Sequence, residues 1–332
     1  MRNIIRFTDL SPHNMQLSAI ICTHNPRPDH LRRTLEGLQR QTLDRAQWEL
    51  LLIDNHSNEI LRDVWDLGWH VNGRHVREDR LGLTPARLRG IAETSADLVL
   101  FIDDDNVLDP TYLEVVLQLA AEFPKLGCFG AGIIRPEFEE PPPPEFTPYL
   151  PMLALRDEQR ALWSNLPDDH VVPCGAGMVV RRTVAEAYER KIRTSSSMAL
   201  LDRKGNQLNS GGDDEVSWVA CEEGYIKGMF PDLRIVHLIG KERTTKEYLL
   251  RLREGIGFSN ALLRHLHGRS VKRPDRPYRM RPAQLANDLV RGRFYDFFKN
   301  GKRYMEQRSL SALDQEFAEA WSKGVERFMD PQ

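Results

Sequence analysis

The chain has 332 residues, of which 46 are Lys or Arg and 48 are Asp or Glu, so its formal net charge is only -2. This balance argues against a nucleic-acid-binding protein that works by bulk positive charge, and against an acidic disordered chain. The 41% hydrophobic content, with 13 Phe, 8 Tyr and 6 Trp, predicts a sizeable core in one large domain with an appendage, or in two domains.

The sequence predicts no membrane-spanning segment, no secretory signal, no disulfide bond and no zinc site. No apolar run approaches the roughly 20 residues that cross a bilayer, and the N-terminus lacks the apolar segment of a secretory signal. The four cysteines, Cys22, Cys128, Cys174 and Cys221, form no C-x-x-C pair. They are expected to be buried thiols of a reduced cytoplasmic protein, and not a zinc site or a disulfide framework.

The segment from about Leu17 to Asp105 alternates short apolar runs with helix-like stretches. Apolar runs at residues 17–22 and 49–53 are typical of strands buried on both faces of a parallel sheet. Leucines at helical spacing predict an amphipathic crossover helix between these runs, at Leu31, Leu35 and Leu38.

A second unit of the same kind follows. Residues 73–79 predict a strand, Thr84 is expected to cap a helix that holds Pro85 in its first turn, and residues 98–102 predict the next buried strand. Repeated strand–helix–strand units predict a mainly parallel α/β sheet covered by helices. Ligands bind such sheets at the carboxyl ends of the strands.

The pattern changes in the second half of the chain. A Gly-containing apolar run precedes a proline-rich stretch, and residues 136–170 are predicted to be a long surface excursion. Strands are predicted at residues 171–182 and 225–239, with helices at residues 183–191 and from GGDDEV to Gly224. Beyond Thr244 the pattern is helical and basic, with 13 Lys or Arg against 4 Asp or Glu between Arg264 and Arg308.

Three aspartates, Asp103, Asp104 and Asp105, come directly after the strand predicted at residues 98–102. Adjacent carboxylates repel one another, and a bound divalent cation is the simplest compensation. Mg²⁺ and Mn²⁺ prefer oxygen ligands, and Mg²⁺ is commonly shared between carboxylates and substrate phosphates. The alternative is a solvated acidic turn in which Asp109 caps the following helix.

Six motifs, in order from about Leu17 to His237, resemble those of the family 2 glycosyltransferases of the GT-A fold. They are LSAIICTHN, LLIDNHSNE, REDRLGLTPARLRG, FIDDDNVLDP, GGDDEVSWVACEEGY and PDLRIVHLI. The resemblance implies a GT-A type, Rossmann-like nucleotide-binding α/β sandwich with a mixed, mainly parallel sheet. It also implies a nucleotide-sugar donor, usually carrying uracil, and a divalent cation, Mn²⁺ or Mg²⁺.

The resemblance also implies roles for residues on the donor side. Thr23, Asn25 and Asp54 would hold the base, Arg87 would orient the nucleotide or its phosphates, and Asp103 would contact the ribose, with Asp104 beside it. Asp105 would bind the metal, and His237, at the end of an apolar strand, would complete the metal shell. Asp54 also suits a strand-ending turn without any ligand, Arg87 could be a surface helix residue, and His237 could be structural.

Inverting transfer needs one carboxylate that takes the proton of the acceptor hydroxyl. The resemblance assigns this role to Asp214, with Asp213 in the place of the family's usual Glu, although acids in a helix's first turn are also ordinary capping residues. Arg243 is a candidate clamp on the leaving diphosphate, or a residue of a solvated basic loop. Trp163 and Gly175 are acceptor-side candidates together with Asp213; the alternatives for the first two are core packing and a bulge.

We predict a glycosyltransferase domain at residues 1–245 and a helical, basic extension at residues 246–332. The predicted reaction moves a sugar from a nucleotide sugar, a UDP-sugar in the first instance, to a hydroxyl of a glycan or lipid-linked acceptor in polysaccharide biosynthesis. Phe294, Phe297 and Phe298 lie at helical spacing among basic residues. They either contact the inner face of an anionic membrane or pack on the preceding domain.

Two other functions stay open. One is a sugar-phosphate nucleotidyltransferase, although CTHNPRPDH lacks the glycines of the phosphate loop that such enzymes usually carry. The other is a degenerate domain that binds nucleotide as a scaffold without turnover. No nucleic-acid partner is expected, and the sequence leaves the transferred sugar, the linkage and the oligomeric state open.

Overall fold

The structure is a computed structural model that describes residues 15–203, 207–274, 289–291 and 311–330. Its strands are β1 (Leu17–Thr23), β2 (Trp48–Asn55), β3 (Gly73–Glu78), β4 (Leu98–Ile102), β5 (Asn106–Leu108), β6 (Leu126–Phe138), β7 (Arg156–Asp157), β8 (Leu162–Ser164), β9 (Met178–Arg181) and β10 (Ile226–Ile239). Its α-helices are α1 (Pro28–Gln39), α2 (Leu61–Val64), α3 (Leu83–Ala92), α4 (Tyr112–Glu122), α5 (Arg182–Thr194), α6 (Gly212–Glu222), α7 (Lys246–Leu266) and α8 (Ala312–Met329). Short 3-10 helices cover Arg45–Gln47, Pro144–Leu153, Ser196–Leu200 and Lys241–Thr244.

One mixed sheet organises the molecule, in the order β3-β2-β1-β4-β9-β6-β10-β5, with β7 on β6 and β8 on β10. The β1–β2, β2–β3, β1–β4 and β6–β10 pairs are parallel, and the pairs that β9 makes with β4 and β6 are antiparallel. The sheet is therefore parallel at the β1–β4 end, as predicted, and the single strand β9 joins that half to β6 and β10.

The two faces of the sheet carry separate cores because neighbouring strand residues point to opposite faces. Ala19 and Ile21 of β1 face the core that α1 and α4 cover, whereas Ile20 faces the core that α3, α5 and α6 cover. Both cores contain side chains without solvent exposure, such as those of Leu31 and Val184. This double burial explains why β1, β2 and β4 have continuous apolar sequences.

Most of the predicted elements are present, with two corrections. The predicted cap of α3 is wrong: Gly82, with a φ of 138°, precedes the helix, while Thr84 lies inside it and donates its hydroxyl to Asp202 at 2.8 Å. The strand predicted at residues 171–182 is limited to β9, because Pro173 lacks an N–H donor and Gly177 has a φ of 72°.

The excursion over residues 136–170 is partly ordered structure. Its 3-10 helix (Pro144–Leu153) contributes the buried side chains of Phe146 and Leu153 to a third core cluster, against α7 and α8. β7 and β8 then add short antiparallel strands at the sheet. The segment therefore joins the main sheet to the C-terminal helices.

The C-terminal helices α7 and α8 pack closely through glycine. A Cβ on Gly257 would lie 2.5 Å from the Trp321 carbonyl oxygen, and one on Gly324 would collide with the Glu254 carbonyl. Tyr149 stacks on Phe317 at a ring distance of 3.6 Å, which fixes α8 against the excursion. The division of the chain at residue 245 stays a prediction, and Phe294, Phe297 and Phe298 lie outside the described residues.

None of the described helices is both long enough and apolar enough to cross a membrane. The four cysteines are unpaired thiols, and Cys22 and Cys221 are only half-buried, which corrects the prediction that all four are buried. Cys128 and Cys174 are buried, and burial raises the pKa of the Cys128 thiol to about 12 and that of Cys174 to about 11. Both thiols are therefore protonated at neutral pH and unsuited to act as nucleophiles.

Candidate functional site

A cleft of about 300 Å³ opens at the carboxyl ends of β1, β2 and β4, where the repeated strand–helix–strand pattern predicted a ligand site. Its lining includes Thr23, His24, Asn55, Arg87, the aspartates 103–105, residues 152–154 and 174–176, Asp202, Arg203, residues 209–213, His237 and Arg243. The cleft brings together nine of the predicted site residues, namely Thr23, Arg87, Asp103, Asp104, Asp105, Gly175, Asp213, His237 and Arg243. The other predicted site residues, Asn25, Asp54, Trp163 and Asp214, do not line it.

The three aspartates form the turn between β4 and β5, and burial opposes their ionisation. Burial, with the nearby Asp105, raises the pKa of Asp103. The same two causes raise the pKa of Asp104 to about 7, although Asp104 also accepts a hydrogen bond from the Thr23 hydroxyl. This turn therefore concentrates negative charge that only a cation can fully balance.

Asp105 differs from its neighbours because it has basic partners. Burial acts to raise its pKa, but the nearby His237 and Arg243 outweigh burial and hold the pKa of Asp105 well below its usual range. Asp105 Oδ2 lies 3.3 Å from His237 Nε2 and accepts a hydrogen bond of 2.6 Å from Arg243 Nη1. Asn106 donates to the other carboxylate oxygen at 2.9 Å.

The donor set around Asp105 fits a divalent cation. Hard carboxylate oxygens and one imidazole nitrogen are ligands of Mn²⁺ and Mg²⁺ sites, which commonly rely on few protein ligands and on substrate phosphates. His237 is 3% exposed, and its Nδ1 has no hydrogen-bond partner within the described ranges. Within those ranges no group of three or more His, Cys, Asp or Glu is arranged to hold a metal ion without substrate.

The loops after β1 and β2 are tied to each other. Asn25, with a φ of 49°, donates its backbone N–H to the Ser57 hydroxyl at 3.0 Å and accepts from the Asn58 N–H at 2.8 Å. Asn55 accepts from the Gly82 N–H at 2.8 Å and lines the cleft. Asn25 therefore holds the two loops together outside the cleft lining, to which Asn55 contributes.

Asp54 is 3% exposed and does not line the cleft. Its carboxylate accepts from the Ser57 N–H at 2.9 Å, the Leu61 N–H at 3.3 Å and Arg77 at 2.7 Å. Burial acts to raise its pKa, but the hydrogen bonds from Ser57 and Arg77 lower the pKa of Asp54 below its ordinary value. Its role toward a base stays a prediction, and the geometry gives it a role in holding the β2 turn.

Arg87 is 2% exposed, so it is not a surface helix residue. Its Nη2 donates to Asp213 Oδ1 at 2.8 Å, and its Nη1 lies 3.8 Å from Asp202 Oδ2. Gly175 donates its N–H to Asp213 Oδ2 at 2.6 Å, and a Cβ at Gly175 would collide with the Arg87 side chain. Gly175 therefore permits a buried Arg87–Asp213 ion pair at the floor of the cleft.

Asp214 follows Asp213 in the first turn of α6, but its environment differs. Both oxygens of Asp213 are engaged, whereas no other residue in the described part of the chain donates a hydrogen bond to the Asp214 carboxylate. Burial and the Asp213 charge raise the pKa of Asp214 to about 7, although Lys227 and Arg156 act in the opposite direction. A carboxyl group in this state can accept a proton near neutral pH.

A ring of charged side chains anchors the helix that carries these acids. Glu215 is fully buried, and its Oε2 lies 2.8 Å from His267 Nε2 while Oε1 lies 3.1 Å from Lys191 Nζ. Glu222 lies 2.7 Å from His267 Nδ1 and 2.8 Å from Lys191. Both ring nitrogens of His267 thus lie within hydrogen-bond distance of carboxylate oxygens. α6 is thereby bound to α5 and to the end of α7.

The sequence pattern missed several residues that line the cleft. Asp202 and Arg203 lie in an irregular segment before α6, and the side chain of Arg203 has no ion pair within the described ranges. Asn209 is 3% exposed and accepts a hydrogen bond of 3.0 Å from Arg327 of α8. In the sequence, Asp202 and Arg203 show only as an acidic residue beside a basic one in a loop that contains Gly and Asn. This pattern is too common to predict a site.

Trp163 lies on β8, is 57% exposed and contacts Phe123 at a ring distance of 6.1 Å. It is neither a core residue nor part of the cleft lining. Contact of Trp163 with an acceptor stays a prediction, and it would require an acceptor that extends beyond the cleft.

Comparisons with known proteins agree with this architecture. The family model described as "Glycosyl transferase family 2" matches residues 18–188, just over half of the chain. A poly(ribitol-phosphate) beta-N-acetylglucosaminyltransferase, TarP, of Staphylococcus aureus is 27% identical over 110 residues, which are 32% of this chain and 33% of TarP. A glucosyl-dolichyl phosphate glucuronosyltransferase of Haloferax volcanii is 25% identical over 137 residues, which are 37% of this chain and 42% of that protein.

The matches therefore span less than half the length of these two curated relatives. Among solved structures, the mannosyltransferase PcManGT from Pyrobaculum calidifontis, in complex with GDP-Man and Mn²⁺, has a TM-score of 0.56 and 16% identity. That similarity covers 97% of this chain and 90% of PcManGT, and at this identity it concerns the fold alone. The predicted GT-A fold is confirmed, and the family match shows that the chain belongs to glycosyl transferase family 2.

Proposed function

We propose that this chain is an inverting, metal-dependent glycosyltransferase that moves a sugar from a nucleotide sugar to a hydroxyl of a glycan or lipid-linked acceptor. The observation that carries the proposal is the proximity of two acidic groups. The partly buried aspartates 103–105 line the cleft, and Asp214, which accepts no hydrogen bond from another described residue, lies outside the lining but directly follows the cleft residue Asp213 in the first turn of α6. The first group suits a cation and a diphosphate, and the second suits a general base.

Asp214 is the proposed base. In the proposed step, the acceptor oxygen forms a bond to the anomeric carbon as the bond from that carbon to the diphosphate oxygen breaks, and the hydroxyl proton passes to the Asp214 carboxylate. A single displacement inverts the anomeric configuration. Asp213 is the weaker candidate because Arg87 and Gly175 already use both of its oxygens.

The donor side rests on the remaining cleft residues. Asp105 and His237 would hold Mn²⁺ or Mg²⁺, which supplies positive charge for the leaving diphosphate. Thr23 and Asp104 line the cleft beside them, and we assign them with Asp103 to the nucleotide. Asn25 and Asp54 would act on the base through the shape of the two loops. A UDP-sugar is the proposed donor, and the GDP-Man in PcManGT makes GDP the first alternative to test.

The acceptor is proposed by class only. The names of the two curated relatives describe one transfer to poly(ribitol-phosphate) and one to a glucosyl-dolichyl phosphate, so both a polymer and a lipid-linked sugar are represented. Gly175 and Asp213 would line the acceptor approach to Asp214. We also propose peripheral contact of the basic extension with anionic membrane; no sedimentation with anionic vesicles at low salt would exclude it.

The first experiment is a thermal-shift panel of UDP, GDP, dTDP and CDP, each with and without Mn²⁺. A ligand that binds only the folded state raises the melting temperature, so we expect one diphosphate to do so in the presence of metal. If none does, the proposed function fails. Nucleotide binding without turnover would instead favour the degenerate scaffold.

The second experiment replaces Asp214 by Asn and measures transfer, with Asp213→Asn as the matched control on the same turn. Removal of a general base lowers the rate by about 10²- to 10⁴-fold. Unchanged transfer by the Asp214→Asn protein would remove Asp214 as the base. Recovery of a product with retained anomeric configuration would contradict the single displacement.

A further inference from the structure

The guanidinium of Arg243 stands between the two proposed metal ligands. Its Nη1 lies 2.6 Å from Asp105 Oδ2 and 3.0 Å from His237 Nε2, and those two atoms are 3.3 Å apart. One cationic nitrogen thus contacts both groups that would hold a divalent ion. Arg243 is only 14% exposed, so this contact is part of the buried cleft wall and not a surface ion pair.

The guanidinium of Arg243 can only donate hydrogen bonds. In its contact with His237 the Nε2 atom accepts with its lone pair, and in its contact with Asp105 the carboxylate accepts. These are the same lone pairs that metal ligation requires. The other ring nitrogen, Nδ1, is buried without a partner in the described part of the chain, so the contact with Arg243 is what orients the imidazole.

Arg243 is placed to leave this position without unfolding its surroundings. It lies on the 3-10 turn Lys241–Thr244, between the end of β10 and the start of α7. Among the described residues, Asp105 is its ion-pair partner, and its Nε is buried with no hydrogen-bond partner. Rotation of this one side chain would therefore break its contacts with Asp105 and His237 and change its position over the Tyr248 ring, which lies 6.0 Å away.

We propose that Arg243 is a tethered counter-cation that competes with the divalent ion for Asp105 and His237. Without metal it keeps the two ligands together and balances the buried Asp105 charge. With metal bound it withdraws, and its guanidinium becomes free in the same cleft to pair with the donor diphosphate. The inference rests on the proposed function, since it takes Asp105 and His237 as the metal ligands.

This arrangement predicts coupling between metal and nucleotide. A displaced guanidinium loses a charge-assisted hydrogen bond, and a diphosphate restores one, so each ligand favours the binding of the other. Metal alone should bind weakly to the natural protein, and UDP should strengthen it. Removal of the guanidinium should abolish the competition and the part of the coupling that passes through Arg243, while coupling through direct contact of metal and diphosphate should remain.

The test measures Mn²⁺ binding from the electron paramagnetic resonance signal of the free ion, with and without UDP, so it needs no turnover. In the absence of UDP, Arg243→Gln should bind Mn²⁺ about tenfold to a hundredfold more tightly, the equivalent of one charge-assisted hydrogen bond. Lys241→Gln is the matched control, because it removes a positive charge from the same turn that pairs with Glu140 and not with Asp105. Asp105→Asn should weaken binding.

A second variant guards against a general effect of the substitution. In Arg243→Ala, added guanidinium ion at millimolar concentration should weaken Mn²⁺ binding again, whereas it should leave the natural protein unchanged. UDP should increase Mn²⁺ affinity several-fold more in the natural protein than in either variant. Equal or weaker Mn²⁺ binding by Arg243→Gln, or no effect of guanidinium on Arg243→Ala, would overturn the inference.

Failure of this inference is distinguishable from failure of the proposed function. If the natural protein binds UDP or GDP with Mn²⁺ but the Arg243 variants bind the ion as the natural protein does, only the counter-cation role falls. If no nucleoside diphosphate binds to any of these proteins in the presence of Mn²⁺, the nucleotide-sugar function itself falls.

Discussion

Replacement of Asp214 by Asn should stabilise the protein at alkaline pH while it abolishes transfer. Burial and the neighbouring Asp213 raise the pKa of Asp214 from its ordinary value of 3.8 to about 7. An acid with a raised pKa in the folded state binds its proton more tightly there than in the unfolded chain. The free energy of unfolding therefore falls as the pH rises from about 4 to 7, and Asn removes this loss.

The magnitude follows from the two pKa values. At about 1.4 kcal/mol for each pH unit, a pKa of about 7 against 3.8 gives an upper limit of about 4 kcal/mol. Between pH 5 and pH 8 the unfolding free energy of Asp214→Asn, relative to the natural protein, should rise by about 2.5 kcal/mol. Most of the rise should occur below pH 7, where the folded carboxyl still holds its proton.

The assay is urea unfolding of both proteins at intervals from pH 5 to pH 8. The control is Asp213→Asn, which breaks the Arg87 ion pair and the Gly175 hydrogen bond and should destabilise the protein at pH 8 by about 1 to 3 kcal/mol. At pH 8, Asp214→Asn should therefore raise the free energy of unfolding and Asp213→Asn should lower it. If the free energies of unfolding of Asp214→Asn and the natural protein change with pH in parallel, the argument that the folded state raises the pKa of Asp214 is refuted.

Three further predictions concern stability. His267→Gln should lower the unfolding free energy by about 3 kcal/mol in urea titrations, because it leaves the buried Glu215 with Lys191 as its one remaining partner among the described residues, and the added change Glu215→Gln should recover part of that loss. Gly324→Val should separate α8 from α7 and lower the melting temperature by several degrees in calorimetry, since even a Cβ there collides with the Glu254 carbonyl. Asp54→Asn should cost about 1 to 3 kcal/mol at pH 7, and the cost should begin to decrease as the pH falls below about 4 and continue to decrease as Asp54 takes up its proton, because the pKa of Asp54 is lowered in the folded state.

The local sequence pattern predicts the parallel half of the sheet and the position of the cleft. β1, β2 and β4 are apolar on both faces, and parallel strands place their carboxyl ends at one edge, so the aspartates 103–105 could be located from the sequence. His237 reaches Asp105 because β10 pairs with β5 in antiparallel register, His237 opposite Asn106. That pairing joins residues more than a hundred positions apart, and only the family resemblance brought them together.

The remaining differences have the same physical origin. Thr84 has the sequence context of a helix cap, but its hydroxyl is used by Asp202, which lies over a hundred residues further along the chain. From the sequence alone, Arg87 could also be a solvated helix residue, and only the fold shows that it is buried in an ion pair with Asp213. In both cases a buried polar group is determined by a distant partner, and periodicity carries no information about such partners.

The ring of charges around His267 has a consequence for how this enzyme can be divided or recombined. A chain ended at residue 245 would retain all six family motifs, yet it would bury Glu215 without His267 and expose Trp218, which now packs against that imidazole at a ring distance of 4.1 Å. Exchange of the extension between relatives would meet the same obstacle unless it brought an equivalent partner for Glu215. The helix that carries Asp214 is thus supported from outside the segment that the motifs define, and exchanging that segment alone between relatives would remove this support.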